Sequence, residues 1–99
     1  MNIRWSNVAQ ADLDNIYAYI ARDVPYYAAM FIDRLIHATD RLVDNPHVGR
    51  KVPECGYRED IRELILQRYR IIYLISDDTI QILTIIHGSR DFENLSLKL

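Results

Sequence analysis

Residues 61–86 read IRELILQRYRIIYLISDDTIQILTII, and this stretch decides the fold. Its β-branched, leucine and tyrosine residues form three runs of strand length, at 61–66, 70–75 and 80–86. Residues of these types favour strands. Short polar pairs separate the runs, Gln67-Arg68 and Asp77-Asp78, which is the spacing of tight hairpins. The stretch therefore predicts an antiparallel meander.

Two amphipathic helices are predicted ahead of the meander. Apolar residues recur at helical spacing over 9–20 and again over 28–42, with charged residues between them. Pro25 separates the two patterns, because proline disfavours helix in the preceding residue and suits the first turn of a new helix. We expect the second helix to end near Asn45-Pro46 and the pair to form an antiparallel hairpin.

Short segments complete the predicted chain path. Residues 2–5 alternate polar and apolar side chains, which predicts a short strand, and Ser6 or Asn7 is suited to cap the first helix. Residues 46–57, PHVGRKVPECGY, include two Pro and two Gly and are expected to form a loop. This order of elements predicts an α+β fold, in which a helical hairpin packs on one face of a twisted antiparallel sheet. We expect a single domain over residues 1–99.

The composition is that of an ordinary globular protein. The 99 residues are 49% apolar and 26% charged, with 12 Lys and Arg against 14 Asp and Glu. The single cysteine, Cys55, excludes an intramolecular disulfide framework. No apolar run approaches the roughly 18–20 residues of a membrane helix. We expect a small soluble cytoplasmic protein with no membrane partner.

Positive charge is concentrated in one part of the chain. Residues 50–70 hold six basic and four acidic residues, although the whole chain has a formal net charge of −2. Proteins that bind nucleic acid through its phosphates usually have a strong basic excess. We therefore expect no autonomous nucleic-acid binding. A local basic segment suits a protein partner or a ribosomal site at least as well.

The residues that bind metals or act as acids and bases show no diagnostic spacing. His37, His47 and His87 form no metal-ligand motif, and Cys55 has no companion cysteine. We predict no metal site and no cofactor. His87 precedes Gly88 at the end of a predicted strand, where it is suited either to donate to a phosphate or to cap the sheet edge.

Two arginines interrupt the predicted strands. A charged side chain in a strand pattern must reach the sheet edge, find a partner or face a cleft. One interpretation is that Arg62 and Arg70 are surface residues, extended past the sheet edge or paired with Glu63 or Glu59. The other is a concave sheet face on which Arg62, Arg70 and Arg90 converge to contact an anion or a partner.

Four motifs, in this order, carry a specific resemblance. They are A..DL..I..YIA.D.P..A..F...L at 9–35, L..NPHVGRKVPE at 42–54, RELILQRYRIIY at 62–73 and IIHGSRDF at 85–92. Over nearly its whole length the chain resembles the ParE/RelE toxin superfamily of bacterial toxin–antitoxin modules. The resemblance implies a small α+β toxin that a cognate antitoxin holds inactive by wrapping around it.

The superfamily contains two activities. RelE-type toxins cut messenger RNA in the ribosome, whereas ParE-type toxins are associated with inhibition of DNA gyrase. The lysine pair of the RelE type falls around Ile61–Glu63, where this chain has Arg62 beside an acidic residue. The tail after Arg90 has no tyrosine, and the HGSRD and GRKVPE segments resemble the ParE type. The resemblance therefore favours a toxin that inhibits gyrase by binding.

The same resemblance implies a set of functional residues. The residues expected to contact the target are Arg62, Arg70, His87 and Arg90, with Arg50 and Lys51 as contributors from the loop. The alternative is a RelE-like ribosome-dependent endoribonuclease, whose partners are the ribosome and messenger RNA. In that case Arg70 and Arg90 would stabilise charge on the phosphate, and His87 would be the general acid or base.

Overall fold

The computed structural model describes residues 1–88, which form two helices and a five-stranded sheet. In chain order the elements are β1 (Asn2–Trp5), α1 (Asn7–Ala21), α2 (Pro25–Asp40), β2 (Arg50–Lys51), β3 (Ile61–Leu66), β4 (Tyr69–Ser76) and β5 (Thr79–His87). A 3₁₀ turn over Pro53–Cys55 follows β2. Within residues 1–88 neither helix combines the length and the apolar character that spanning a membrane requires.

The predicted α+β architecture is confirmed, with two changes in the sheet, one of which is that Arg50–Lys51, predicted as part of a loop, forms the edge strand β2. The strand order is β1-β5-β4-β3-β2, and the meander and β2 pair antiparallel as neighbours. β1, however, is parallel to β5, so the sheet is mixed and the expectation of a wholly antiparallel sheet is wrong. Strands joined by tight hairpins must be antiparallel. No hairpin joins β1 to β5, because α1 and α2 carry the chain from β1 to the opposite edge of the sheet. β1 can therefore pair in either direction.

The second helix is shorter than its sequence pattern. α2 ends at Asp40, ahead of the predicted boundary near Asn45-Pro46. There the backbone N–H of Leu42 donates to the carbonyl of Thr39, three residues back, a bond typical of the tight turns that end helices. Leu42 is nevertheless fully buried, so the apolar stripe continues after the helical backbone has ended.

Both faces of the sheet carry apolar cores. The helices cover one of them, the helix face, where Phe31 packs into the same core as Ile71. The opposite side, the outer face, has a smaller core that joins Ile72 and Ile86 to Val52. Val52 belongs to the 46–57 loop, so this loop covers sheet surface that the helices do not reach. Burial on two faces explains why the strands are nearly continuous apolar runs.

A β-bulge in β5 is fastened by side chains from the start of α1. The register of the β4–β5 pair leaves Leu83 without an opposite residue. The Ser6 hydroxyl donates to the Leu83 carbonyl at 2.8 Å, and the Asp12 carboxylate accepts from the Ile85 N–H at 2.9 Å and from the Thr84 hydroxyl. These bonds satisfy polar groups near the irregularity. They also fix α1 on the sheet.

The start of the loop is held against the sheet by a buried tyrosine. The hydroxyl of Tyr73, whose side chain is in the helix-face core, accepts from the Gly49 N–H at 3.0 Å and donates to the Pro46 carbonyl at 2.7 Å. A Cβ at Gly49 would lie 2.5 Å from the Tyr73 hydroxyl oxygen and 2.7 Å from the Glu63 carbonyl oxygen. Only glycine fits this position without displacing its neighbours.

Replacement of Gly49 by alanine is expected to lower the free energy of unfolding by about 2 kcal/mol, since overpacking a filled site costs roughly 1–3 kcal/mol. Gly56→Ala is the matched comparison. Gly56 has a φ of +71° and nothing within 4 Å of an added Cβ, so only backbone strain of about 1 kcal/mol applies there. Urea unfolding of both variants tests the difference. A Gly49→Ala protein as stable as the wild type would contradict the close packing.

Candidate functional site

Four charged residues form a partly buried network on the outer face, here called the charge network: Arg50, Glu54, Glu63 and Arg70. Arg70 donates from Nε to Glu63 at 2.5 Å, and from both terminal nitrogens to the two oxygens of Glu54 at 2.7 and 2.8 Å. The second oxygen of Glu63 accepts from Nε of Arg50 at 2.6 Å. The Glu63 side chain is completely buried, and each of its two oxygens accepts a hydrogen bond from an arginine.

Hydrogen bonding favours the charged forms of Glu54 and Arg70. The bond from the Arg70 guanidinium lowers the pKa of the Glu54 carboxyl below its ordinary value. Hydrogen bonds to Glu54, and then to Glu63, raise the already high pKa of Arg70 despite its desolvation. Arg70 therefore remains a cation held by two carboxylates, and cannot serve as a proton donor near neutral pH.

Arg62 has a different set of partners. Its Nε and Nη2 donate to the Glu59 carbonyl and carboxylate, at 3.0 and 2.7 Å. Its Nη1 donates to the carbonyls of His47 and Gly49. Only 12% of the side chain is exposed, and the guanidinium joins the start of the 46–57 loop to Glu59, which follows the loop. This confirms the interpretation in which Arg62 pairs with Glu59.

The structure does not bring Arg62 and Arg70 onto one face. Arg62 lies opposite Tyr73, on the helix face, whereas Arg70 lies opposite Ile65. Because cross-strand neighbours share a face and successive residues alternate, the two arginines point to opposite sides of the sheet. The predicted convergence of these arginines is therefore wrong. Arg90, the third member of that prediction, lies outside the described residues.

His87 ends β5 on the helix face, away from the charge network. It lies opposite Tyr69, with the two rings at 85° and their centroids 5.3 Å apart. Tyr69 in turn contacts Phe31 of the helix-face core at 5.4 Å. Since Arg70 directly follows Tyr69 in the strand, the side chains of His87 and Arg70 point to opposite faces.

An open groove of about 930 Å³ runs between α1 and the end of the sheet that carries His87. Its walls include Ile16, Tyr19, Arg68 and Tyr69. Neither Tyr19 nor Arg68 was predicted from the sequence as a site residue. Tyr19 lies off the apolar stripe of α1 and is 67% exposed. An aromatic residue at such a position of a helix is the signal in the sequence that indicates a surface site.

The basic segment at 50–70 is largely neutralised by its own carboxylates. Lys51 contacts Glu59 at 2.6 Å, and Arg58 contacts Asp60 at 2.8 Å. Together with the charge network and Arg62, these pairs involve every acidic residue of the segment. Within residues 1–88, Arg68 is the one basic residue of the segment that forms no ion pair.

The described residues offer limited material for nucleophilic or metal chemistry. Across residues 1–88 no three His, Cys, Asp or Glu side chains are grouped as metal ligands. Burial, and then the nearby Glu54 carboxylate, raise the pKa of the Cys55 thiol. A raised pKa disfavours the reactive thiolate at neutral pH.

Comparison with known proteins defines the class. Residues 3–92 match a protein family described as "ParE toxin of type II toxin-antitoxin system, parDE". A protein of Sinorhizobium fredii (strain NBRC 101917 / NGR234) named "Putative toxin Y4kP" is 39% identical over 92 residues, which are 91% of each chain. These similarities are to toxins of type II toxin–antitoxin systems. The chain belongs to the ParE toxin family.

Two solved structures share the fold. A chain in the structure titled "Chromosomal ParDE TA system from P. aeruginosa" has a TM-score of 0.75 and 24% identity, covering 88% of this chain and 95% of that one. A chain in the RelBE2 toxin–antitoxin complex of Mycobacterium tuberculosis has a TM-score of 0.56 and 22% identity, covering 87% and 95%. These two chains therefore share the fold of this protein.

Removal of Arg70 is expected to be strongly destabilising. Arg70→Ala leaves the buried Glu63 carboxylate with one arginine, and breaking a buried ion pair costs about 3 kcal/mol or more. Arg68→Ala, two residues away on an exposed turn, should change the free energy of unfolding by less than about 0.5 kcal/mol. Thermal and urea unfolding provide the measurement. Equal effects of the two substitutions would show that the network does not support the fold.

The lowered pKa of Glu54 gives the network a pH dependence of known sign. A carboxyl whose pKa is lower in the folded state stabilises the fold above its unfolded pKa, here near 4.5, and loses that contribution as the pH falls through the folded value. The stability difference between wild type and Glu54→Gln should therefore be largest near neutral pH and shrink below about pH 4.5. Urea unfolding across this range tests it. A difference independent of pH would contradict the assignment.

Proposed function

We propose that this protein is a cytoplasmic ParE-type toxin that arrests growth by binding DNA gyrase and is neutralised by a cognate antitoxin. The family membership supports the toxin role. Gyrase is proposed as the target because the HGSRD and GRKVPE segments resemble the ParE type, in which inhibition of gyrase is the associated activity. On this proposal the protein acts by binding, with no chemistry of its own.

The separation of the candidate catalytic groups is the observation that carries the proposal. In the alternative, RNA cleavage would need His87, as the general acid or base, and the Arg70 guanidinium, which would stabilise charge, at the same phosphate. Arg70 is held by carboxylates on the outer face, whereas His87 lies on the helix face against Tyr69. Binding needs no such convergence, since separate surface charges can each contact a large partner.

The antitoxin is proposed to bind at the helical hairpin. Several large apolar or aromatic side chains there are exposed, including Tyr19, Val24, Tyr26 and Met30. Exposed apolar groups of this size on one part of a small protein are typical of protein interfaces. The two solved structures that share the fold are titled as a toxin–antitoxin system and a toxin–antitoxin complex, which is consistent with such a partner.

The structure refines which residues are proposed to contact gyrase. Arg50, Lys51 and His87 are at least partly exposed and remain proposed contacts, as does Arg90. Arg62 and Arg70 are mostly buried in ion pairs, so their proposed contribution is to hold the loop that presents other contacts. Substitutions for testing target binding are therefore best placed among the exposed residues.

Induced expression followed by parallel labelling with thymidine and methionine tests the proposal. We expect DNA synthesis to fail before protein synthesis, and purified protein to inhibit gyrase supercoiling in vitro. Arg90→Ala or His87→Ala should weaken that inhibition, whereas Arg34→Ala, on the exposed side of α2, should not. If protein synthesis stops first and transcripts are cut at the ribosome, the protein is instead a RelE-like endoribonuclease.

A further inference from the structure

The outer face has an exposed aliphatic side chain between two cations. Ile65 is 50% exposed on β3, although it lies in a strand whose other apolar residues are largely buried. A shallow pocket of about 350 Å³ adjoins it, and Arg50, Pro53 and Arg68 also line this pocket. Glu54 and Arg70 of the charge network line the pocket as well. This surface, here called the Ile65 pocket, belongs to no core of the described chain.

The two cations retain hydrogen-bonding capacity. Arg50 uses its Nε to contact Glu63, and 59% of its side chain is exposed, so within residues 1–88 its two terminal nitrogens remain available. Arg68 is exposed at the turn between β3 and β4 and forms no ion pair in the described part of the chain. A guanidinium with free N–H groups binds carboxylates in a forked geometry. The Ile65 pocket thus offers two carboxylate sites on either side of an apolar contact.

We propose that the Ile65 pocket binds an extended segment of a partner protein, with an aliphatic side chain on Ile65 and carboxylates on Arg50 and Arg68. Alternate residues of an extended chain point the same way and lie about 6.6–6.8 Å apart. A sequence of the form Glu-x-Leu-x-Glu therefore presents three suitable groups to one surface. This inference goes beyond the proposed function and does not depend on gyrase being the target.

The observations favour an acidic peptide over a nucleic acid at this surface. The Glu54 carboxylate also lines the pocket, is one third exposed and is held ionised by Arg70. It would repel the regularly spaced charges of a phosphate backbone, whereas a peptide can place carboxylates at the two cations alone. Ile65 is aliphatic and provides no ring on which a base could stack.

A titration of the full-length ¹⁵N-labelled protein tests the proposal. The probe is the synthetic peptide acetyl-Glu-Thr-Leu-Thr-Glu-amide, and the matched control is acetyl-Lys-Thr-Leu-Thr-Lys-amide. We expect the glutamate peptide to shift the amide resonances of Ile65, Gln67 and Arg68 and the side-chain Nε resonance of Arg50. The lysine peptide should leave them unchanged. Binding of the two peptides with equal affinity would overturn the proposal.

Charge reversal gives a second measurement that does not depend on loss of the fold. Arg68→Glu replaces an exposed turn residue and should weaken binding of the glutamate peptide on the order of tenfold, which corresponds to about 1.4 kcal/mol. Arg34→Glu is the control, because Arg34 is exposed on α2 and does not line the pocket. Dispersed amide spectra of both variants verify folding. Equal affinities of the two variants would contradict the role of Arg68.

Other occupants give distinct results in the same experiment. A tetrauridylate that shifts these resonances at lower concentration than the peptide would assign the pocket to RNA and overturn the proposal. Shifts that depend on protein concentration without any peptide would assign it to a second copy of the chain, which also overturns it. None of these measurements involves gyrase or growth arrest, so the inference and the proposed function fail independently.

Discussion

The completely buried carboxylate of Glu63, held between Arg50 and Arg70, is the interaction on which the outer half of the structure depends. Removing a carboxylate from water costs several kcal/mol, which only close and well-oriented cations offset. Arg50 comes from β2 and Arg70 from β4, so Glu63, on the strand β3 between them, connects the edge strand to the central strand. Arg70 then reaches Glu54 and fixes the 3₁₀ turn that follows β2. Charge and apolar burial thus hold the same loop in place.

The same loop is anchored a second time from the helix face. Tyr73 and Arg62 bind the backbone around Gly49, while Val52 enters the outer core. Glycine is required where the loop passes the tyrosine hydroxyl, which gives a physical reason for its place in the GRKVPE segment. A loop with anchors on both faces presents its exposed charges from a fixed position. Arg62 and Arg70, which lie outside the loop, serve this internal purpose, whereas Arg50 and Lys51 within it keep partly exposed side chains.

Part of this arrangement follows from the sequence alone. The runs at 61–66, 70–75 and 80–86 form strands in the structure. Their residue types and the spacing of their turns both favour an antiparallel meander, and the packing of the fold agrees with this local preference. The two-residue turn also implies that Arg62 and Arg70 lie on opposite faces of the sheet. Leu66 pairs with Tyr69 across this turn, so even-numbered residues of β3 share a face with odd-numbered residues of β4.

The sequence by itself determined the α+β class, the helical hairpin, the meander and membership of a toxin family, because these depend on periodicity and on motifs close together in the chain. The tertiary structure alone decided that β1 joins β5 in parallel, and that Glu54 reaches Arg70. Such pairings link residues far apart in sequence, and their geometry depends on how the chain crosses between the two edges of the sheet. A charged residue in the sequence has many potential partners, and only packing selects one. For that reason a segment rich in arginine became, in the folded protein, largely a set of internal ion pairs.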